Sequence, residues 1–193
     1  RTGILASLLD VPLISVGDSF NFGICGTGAL GATYDGRFYI RYGGANFARM
    51  PNALFRDPTA WYHFVFVVNT PSGTAADRQI LYVNGVRQEN FDNSFTQNAD
   101  TYVNSVNYHT FGVGLTENNS AYSGNFYLSE YIFIDGQALD PSSFGYTDPL
   151  TNTWRPKKYT GTFGTNGFYL PFDGNSPIGQ DQSGNGNNWT PLN

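Results

Sequence analysis

The stretch from Trp61 to Gln88, WYHFVFVVNTPSGTAADRQILYVNGVRQ, constrains the fold more than any other part of this chain. Trp61 to Val68 runs through Trp, Tyr, Phe and Val, interrupted only by His63. A short run of aromatic and β-branched residues bounded by turn formers has the signature of a strand covered on both faces. Pro58 precedes it, and Asn69-Thr70-Pro71-Ser72-Gly73 ends it. Arg78 to Val83 supplies a second strand, and Asn84-Gly85 follows. That dipeptide tolerates φ > 0 at two successive positions, as a type I′ hairpin turn requires, so Val86 starts a return strand. Trp61 is expected in the core, with His63, Val65 and Val67 on its face.

The remaining chain repeats this pattern. Aromatics reach 17 %, charged residues only 13 %, and 23 glycines with 10 prolines mark many tight turns. With no long helical periodicity, this predicts an all-β chain whose residues 1–193 form one domain. The net charge is −5, and Lys157-Lys158 is the only adjacent basic pair, so nothing tracks a phosphate backbone and nucleic acid is not an expected partner. Cys25 is the sole cysteine and reads as a small core residue. No run of about 20 apolar residues is present, so no membrane span is expected.

In chain order, strands are predicted at Leu13–Val16, Ser19–Cys25 (half-buried, with Phe20, Phe22 and Ile24 inward) and Arg37–Tyr42. Gly26, Gly28 and Gly31 mimic a dinucleotide fingerprint, but a turn and a strand follow where a helix is required. Phe47 to Arg56 wraps an edge. Glu89 to Ser105 is a polar insertion pinned by Phe91 and Phe95. Tyr108–Leu115 is a strand, and Glu117–Gly124 a loop with Tyr122 at its tip. Phe126 to Asp135 alternates cleanly, with Phe126, Leu128, Glu130, Ile132 and Ile134 on one face. Asp140-Pro141 caps at most one helical turn. Tyr146 to Lys158 is a loop anchored by Trp154. Gly167–Phe172 is a strand with Phe168, Leu170 and Phe172 inward, and 173–193 is a Gly/Asn-rich tail.

Catalytic constellations are sparse. A retaining glycosidase needs two carboxylates about 5–5.5 Å apart. Glu130 and Asp135 have opposite parity on their predicted strand, so Glu130 reads as a hydrogen-bonded structural acid. His63 and His109 read as core or cross-strand residues, and no G-x-S-x-G elbow accompanies them. Asp181, Ser183 and Asn185 place oxygens at alternate positions on a glycine-flexed loop. That pattern suits calcium, and it equally suits a turn that caps itself.

W-Y-H with the following strand, L-Y-V-N-G-V, GNFYLSEYIFIDGQALDPSSFG at Gly124–Gly145, TGTFGTNGFYLPF at Thr160–Phe172 and DQSGNGNNWT at Asp181–Thr190 together carry a resemblance. They resemble the laminin-G-like domains of the concanavalin A-like lectin/glucanase superfamily, in the form found in structural proteins of marine tailed phages. The resemblance implies a two-sheet antiparallel jelly-roll sandwich. It implies a non-enzymatic virion structural protein at the particle surface, in capsid decoration or in a tail or fibre. Other virion proteins and further copies of the chain would be its partners. Such domains bind glycans through loop aromatics and Asx side chains, which here makes Tyr122, Asn118, Asn119 and Phe95 the candidate glycan contacts. Many also bind calcium, the one cofactor considered. A glycan-active hydrolase and a bacterial extracellular adhesion module are the alternatives. Related phage proteins carry a further strand ahead of this point, so the chain is expected to be part of a longer one that begins inside a first hairpin.

Overall fold

The computed structural model describes residues 11–16, 20–24, 36–42, 46–49, 54–55, 57, 59–114, 122–123, 126–175 and 177–191. The described chain is all-β. Its strands are β1 (Val11–Val16), β2 (Phe20–Ile24), β3 (Phe38–Tyr42), β4 (Asn46–Arg49), β5 (Phe64–Val68), β6 (Gln79–Val83), β7 (Val86–Arg87), β8 (His109–Phe111), β9 (Val113–Gly114), β10 (Tyr122–Ser123), β11 (Tyr131–Phe133), β12 (Gly145–Thr147), β13 (Trp154–Pro156) and β14 (Phe168–Leu170). Single 3₁₀ turns at Ala75–Asp77 and Pro141–Ser143 are the only helical elements among the described residues.

The largest sheet has the order β4-β3-β2-β1-β8, antiparallel throughout. Its register aligns one apolar face. Ile14 lies between Phe22 and Phe111, Phe22 lies beside Ile40, and Ile24 beside Phe38. Residues directly opposed across strands share a face, so these rings form one surface. Pro12 has no N–H to give the ladder, and the β1–β2 register shifts between Pro12 and Ile14. The half-buried β2 of the sequence reading is buried along its whole length, Asn21 included.

Two smaller units pack on that surface. In the sheet β5-β6-β7, Phe64 lies opposite Val83 and Phe66 opposite Leu81. Phe66 stacks on Phe22 at 4.4 Å between ring centroids, and Phe64 meets Phe38 edge-on at 4.7 Å. In the ribbon β11–β14, Tyr131 and Phe168 close on Phe111 at 4.3 and 6.3 Å. Each such ring removes roughly 150–250 Å² from water, and this burial does most to hold the layers together.

The hairpin turn forms as expected. Asn84 and Gly85 have φ of 48° and 79°, and Val83 pairs with Val86. Phe91 and Phe95 do pin the insertion, both buried in the main core. Asp140 accepts from Ser142 N at 2.8 Å with Pro141 behind it, the predicted cap.

Other expectations are corrected. Trp61 lies ahead of β5 and is 61 % exposed, so it is not a core residue. β5 itself is mostly half-buried rather than covered on both faces. Tyr146 to Lys158 contains the β12–β13 hairpin, although Trp154 is indeed its anchor. Phe126 to Asp135 is strand only at 131–133, because Glu130 has φ of 54° and breaks the alternation. Phe172 has φ of 51° and does not continue β14 inward. The tail folds back: Trp189 stacks on Phe111 at 4.2 Å and reaches Phe168 at 5.1 Å. Cys25 and the glycine turn at 26–31 lie outside the described residues.

Candidate functional site

His63 extends the β5–β6 ladder by one residue. Its N–H donates to Asn84 Oδ1 (2.9 Å), and its carbonyl accepts from Asn84 N (2.8 Å). Parity puts its ring with Val65 and Val67, on the face opposite Phe64 and Phe66. There it meets Trp154. The indole lies over two glycines: a Cβ on Gly85 would approach it to 2.3 Å, and one on Gly145 to 2.4 Å. No other residue leaves room for the ring at either position.

Trp154 Nε1–H donates to His63 Nδ1 at 3.1 Å. An indole nitrogen only donates, so Nδ1 must be bare and the neutral imidazole carries its proton on Nε2. Among the described residues no partner for Nε2 is seen. Burial lowers the pKa of His63, opposed in part by the negative charge of nearby Glu130. At neutral pH the ring is therefore uncharged, with its proton on Nε2.

Glu130 is held just beyond the β11–β14 ladder. Its N–H donates to Pro171 O (3.1 Å), and its Oε1 accepts from the Tyr169 hydroxyl (3.3 Å). It is the hydrogen-bonded acid the sequence predicts, but it is exposed. Glu130 and Phe172, both left-handed, sit at the same ribbon end. Such conformations cost about 1–3 kcal/mol each and gather at ligand sites. Burial raises the pKa of Tyr169, and the charges of Glu130 and Asp173 push it the same way. Asp173 is thus a second acid whose charge reaches Tyr169, which same-strand parity could not reveal. An apolar hollow of ≈ 180 Å³ opens beside it, lined by Phe172, Gly174, Pro177 and Ile178.

The residues singled out from sequence do not converge here. Phe95 is fully buried against Tyr42 at 4.6 Å, so its ring has no face free for a sugar. Tyr122 is not at a loop tip: it belongs to β10 and pairs with Gly114 of β9. Asn118 and Asn119 lie outside the described residues.

Asp181, Ser183 and Asn185 do come together, as a capped turn. Asp181 Oδ1 accepts from Tyr169 N (2.9 Å) and Ser183 N (2.8 Å); Oδ2 accepts from Ser183 Oγ (2.8 Å) and Asn187 N (2.9 Å). Burial alone would raise the Asp181 pKa, but these hydrogen bonds together hold it below the usual carboxylate range. Asn185 and Asn187 turn their amide nitrogens onto the carbonyls of Gly164, Thr165 and Gly167 at 2.7–3.1 Å. Calcium needs open oxygens, and a carboxylate offers about four acceptor positions. All four at Asp181 face protein donors, so the residues as arranged do not fit a calcium cage. Among the described residues no other three acidic, imidazole or thiol groups converge either.

The signal for the His63–Trp154 pair was present only in pieces, as an anchoring Trp and a hydrogen-bonding His. Comparison of the chain with protein-family models, with curated proteins and with solved structures finds no match.

Proposed function

We propose that this chain is a non-catalytic module of a virion surface protein, a concanavalin A-like jelly roll that binds glycans and assembles with further copies and other virion proteins. The observation that carries the binding half is the set of rings left in water on loops and strand ends. Trp61, Tyr108, Tyr127 and Tyr146 are 61, 84, 66 and 49 % exposed. Such rings offer a flat apolar face with a polar edge, which suits the C–H face and hydroxyls of a sugar. The particle half rests on the laminin-G-like motifs at Gly124–Gly145, Thr160–Phe172 and Asp181–Thr190.

Two measurements test the reading: mass spectrometry of intact particles for the chain, and a glycan array for binding. A stable monomer absent from every particle fraction defeats the particle half, and a blank array defeats the binding half. Glu130 and Asp135 do not support hydrolysis. They flank β11 at its two ends rather than sharing one face of a strand. Asp135 is also tied to Asn104 Nδ2 and Asn166 N at 2.9 and 3.1 Å. Glu130 with Asp173 about Tyr169 is the one arrangement that favours the hydrolase alternative. Release of reducing ends from a β-glucan, abolished by Glu130→Gln and by Asp173→Asn, would establish it.

A further inference from the structure

We propose that Leu150, at the tip of the β12–β13 hairpin, docks into the apolar hollow lined by Phe172, Gly174, Pro177 and Ile178 on a second copy of this chain. This deepens the assembly half of the reading above and rests on it.

The knob is held rigidly by its own turn. Asp148 Oδ1 accepts from Leu150 N at 2.9 Å and from Thr151 N at 3.4 Å. Asp148 N–H donates to Thr153 O, and Asn152 N–H donates to Asp148 O, both at 2.8 Å. Asn152 completes the turn in the left-handed region, with φ of 52°. Leu150 is left 94 % exposed, so nothing in its own chain covers it. A lone exposed leucine is ordinary. A leucine on a braced tip has already given up much of the freedom that docking would take from it.

The hollow is braced as well. Phe172 and Gly174 have φ of 51° and 77°. Asp173 between them accepts from Asn175 N at 3.0 Å and from Asn175 Nδ2 at 3.1 Å. Gln180 N–H donates to Pro177 O at 2.8 Å, closing a turn that carries Ile178. Trp189 N–H donates to Gly179 O at 2.7 Å, and Trp189 is stacked on Phe111, so this turn is tied to the main sheet. The hollow measures ≈ 180 Å³. A cavity of about 150 Å³ accepts a benzene ring, so the four-carbon side chain of Leu150 has room. Ile178, 62 % exposed, would leave water with it.

Charge points to a second copy as the occupant. Arg155, Lys157 and Lys158, on and just beyond β13, are three of the chain's 10 basic side chains and are all exposed. Residues 159–193, which supply the hollow, contain no Lys or Arg and carry Asp173 and Asp181. Glu130 adds negative charge, its N–H bonded to Pro171 O beside Phe172. Like ends repel and unlike ends attract, so two copies meet knob to hollow. The contact joins unlike surfaces, so it is returned across a two-fold axis, closes a ring or extends. One knob buries little area and makes a weak contact, which repetition on a particle surface multiplies.

The test is sedimentation of the full chain at concentrations up to about 1 mM, where weak contacts are populated. The wild type is expected to self-associate, less at high salt. Leu150→Asp and Ile178→Asp are each expected to weaken association about tenfold or more. Circular dichroism establishes that each variant is folded. Mixed together, the two variants are expected to regain association, because one keeps an intact hollow and the other an intact knob. If both variants associate like the wild type, or if mixing restores nothing, the contact lies elsewhere; the inference falls and the assembly reading stands. A wild type that stays monomeric also overturns the inference, and mass spectrometry of particles then decides the reading by itself. If a methyl glycoside shifts the amide signals of Gly174 and Ile178 in such a monomer, the hollow is a sugar site instead.

Discussion

Trp154 anchors its segment as the sequence predicts, whereas Trp61 does not take the core place expected of it. Trp154 is half-buried but fills the space over Gly85 and Gly145, so Trp154→Ala is expected to cost about 3 kcal/mol in chemical denaturation, the low end for a large aromatic. Trp61→Ala, at an exposed ring, is expected to cost less than ~1 kcal/mol. His63 adds a pH dependence of known sign. Its folded pKa is lowered, by burial against the pull of Glu130, so the unfolded chain takes up the proton first as pH falls. Its contribution is complete above about 6.5, the unfolded value, and is lost as pH falls toward the folded value. Urea midpoints from pH 8 to 5 should fall more steeply in the wild type than in His63→Phe. Asp181, also lowered, contributes above about 3.9 and loses that contribution as pH drops through its folded value. Asp181→Ala strands four donors and is expected to cost about 2–4 kcal/mol. Millimolar calcium should leave the wild-type Tm unchanged, and a rise of several degrees would return the turn to the calcium reading.

Elements were legible wherever a local rule decided them. The Asn84-Gly85 turn needs φ > 0 twice, and few other dipeptides supply it; the Asp140-Pro141 cap is equally local. Gly85 also lies under the indole, so Gly85→Ala combines strain with a clash and is expected to cost about 2–4 kcal/mol. Gly73→Ala is the control: nothing lies within 4 Å of its added Cβ, and the cost should stay within about 0.5 kcal/mol. Elements were illegible wherever a distant partner overrode the pattern. Phe126 to Asp135 alternates on paper, yet Pro171 and Tyr169 hold Glu130 left-handed and cut the strand short. The candidate site was hidden for the same reason. Trp154 bonds to a histidine 91 residues away, a pairing that no window of sequence contains.

At the scale of the whole molecule, one apolar sheet face gathers everything else. Phe22, Phe38 and Phe111 receive rings from β5, β11, β14 and the C-terminal segment. Removing residues 181–193 would strip Trp189 from Phe111 and Asp181 from Tyr169. The shortened chain is expected to keep a β-type far-UV circular dichroism spectrum but to lose several kcal/mol in urea titration. The pairing of β1 with β8 carries a further consequence. Ile14 leaves the ribosome long before Phe111, its neighbour in the finished sheet. At about 5–20 residues per second, β1 waits roughly 5–20 seconds with that edge open. The nascent chain is therefore most vulnerable to pairing with another nascent chain on the same message during that interval, before the strand that covers the β1 edge has been made.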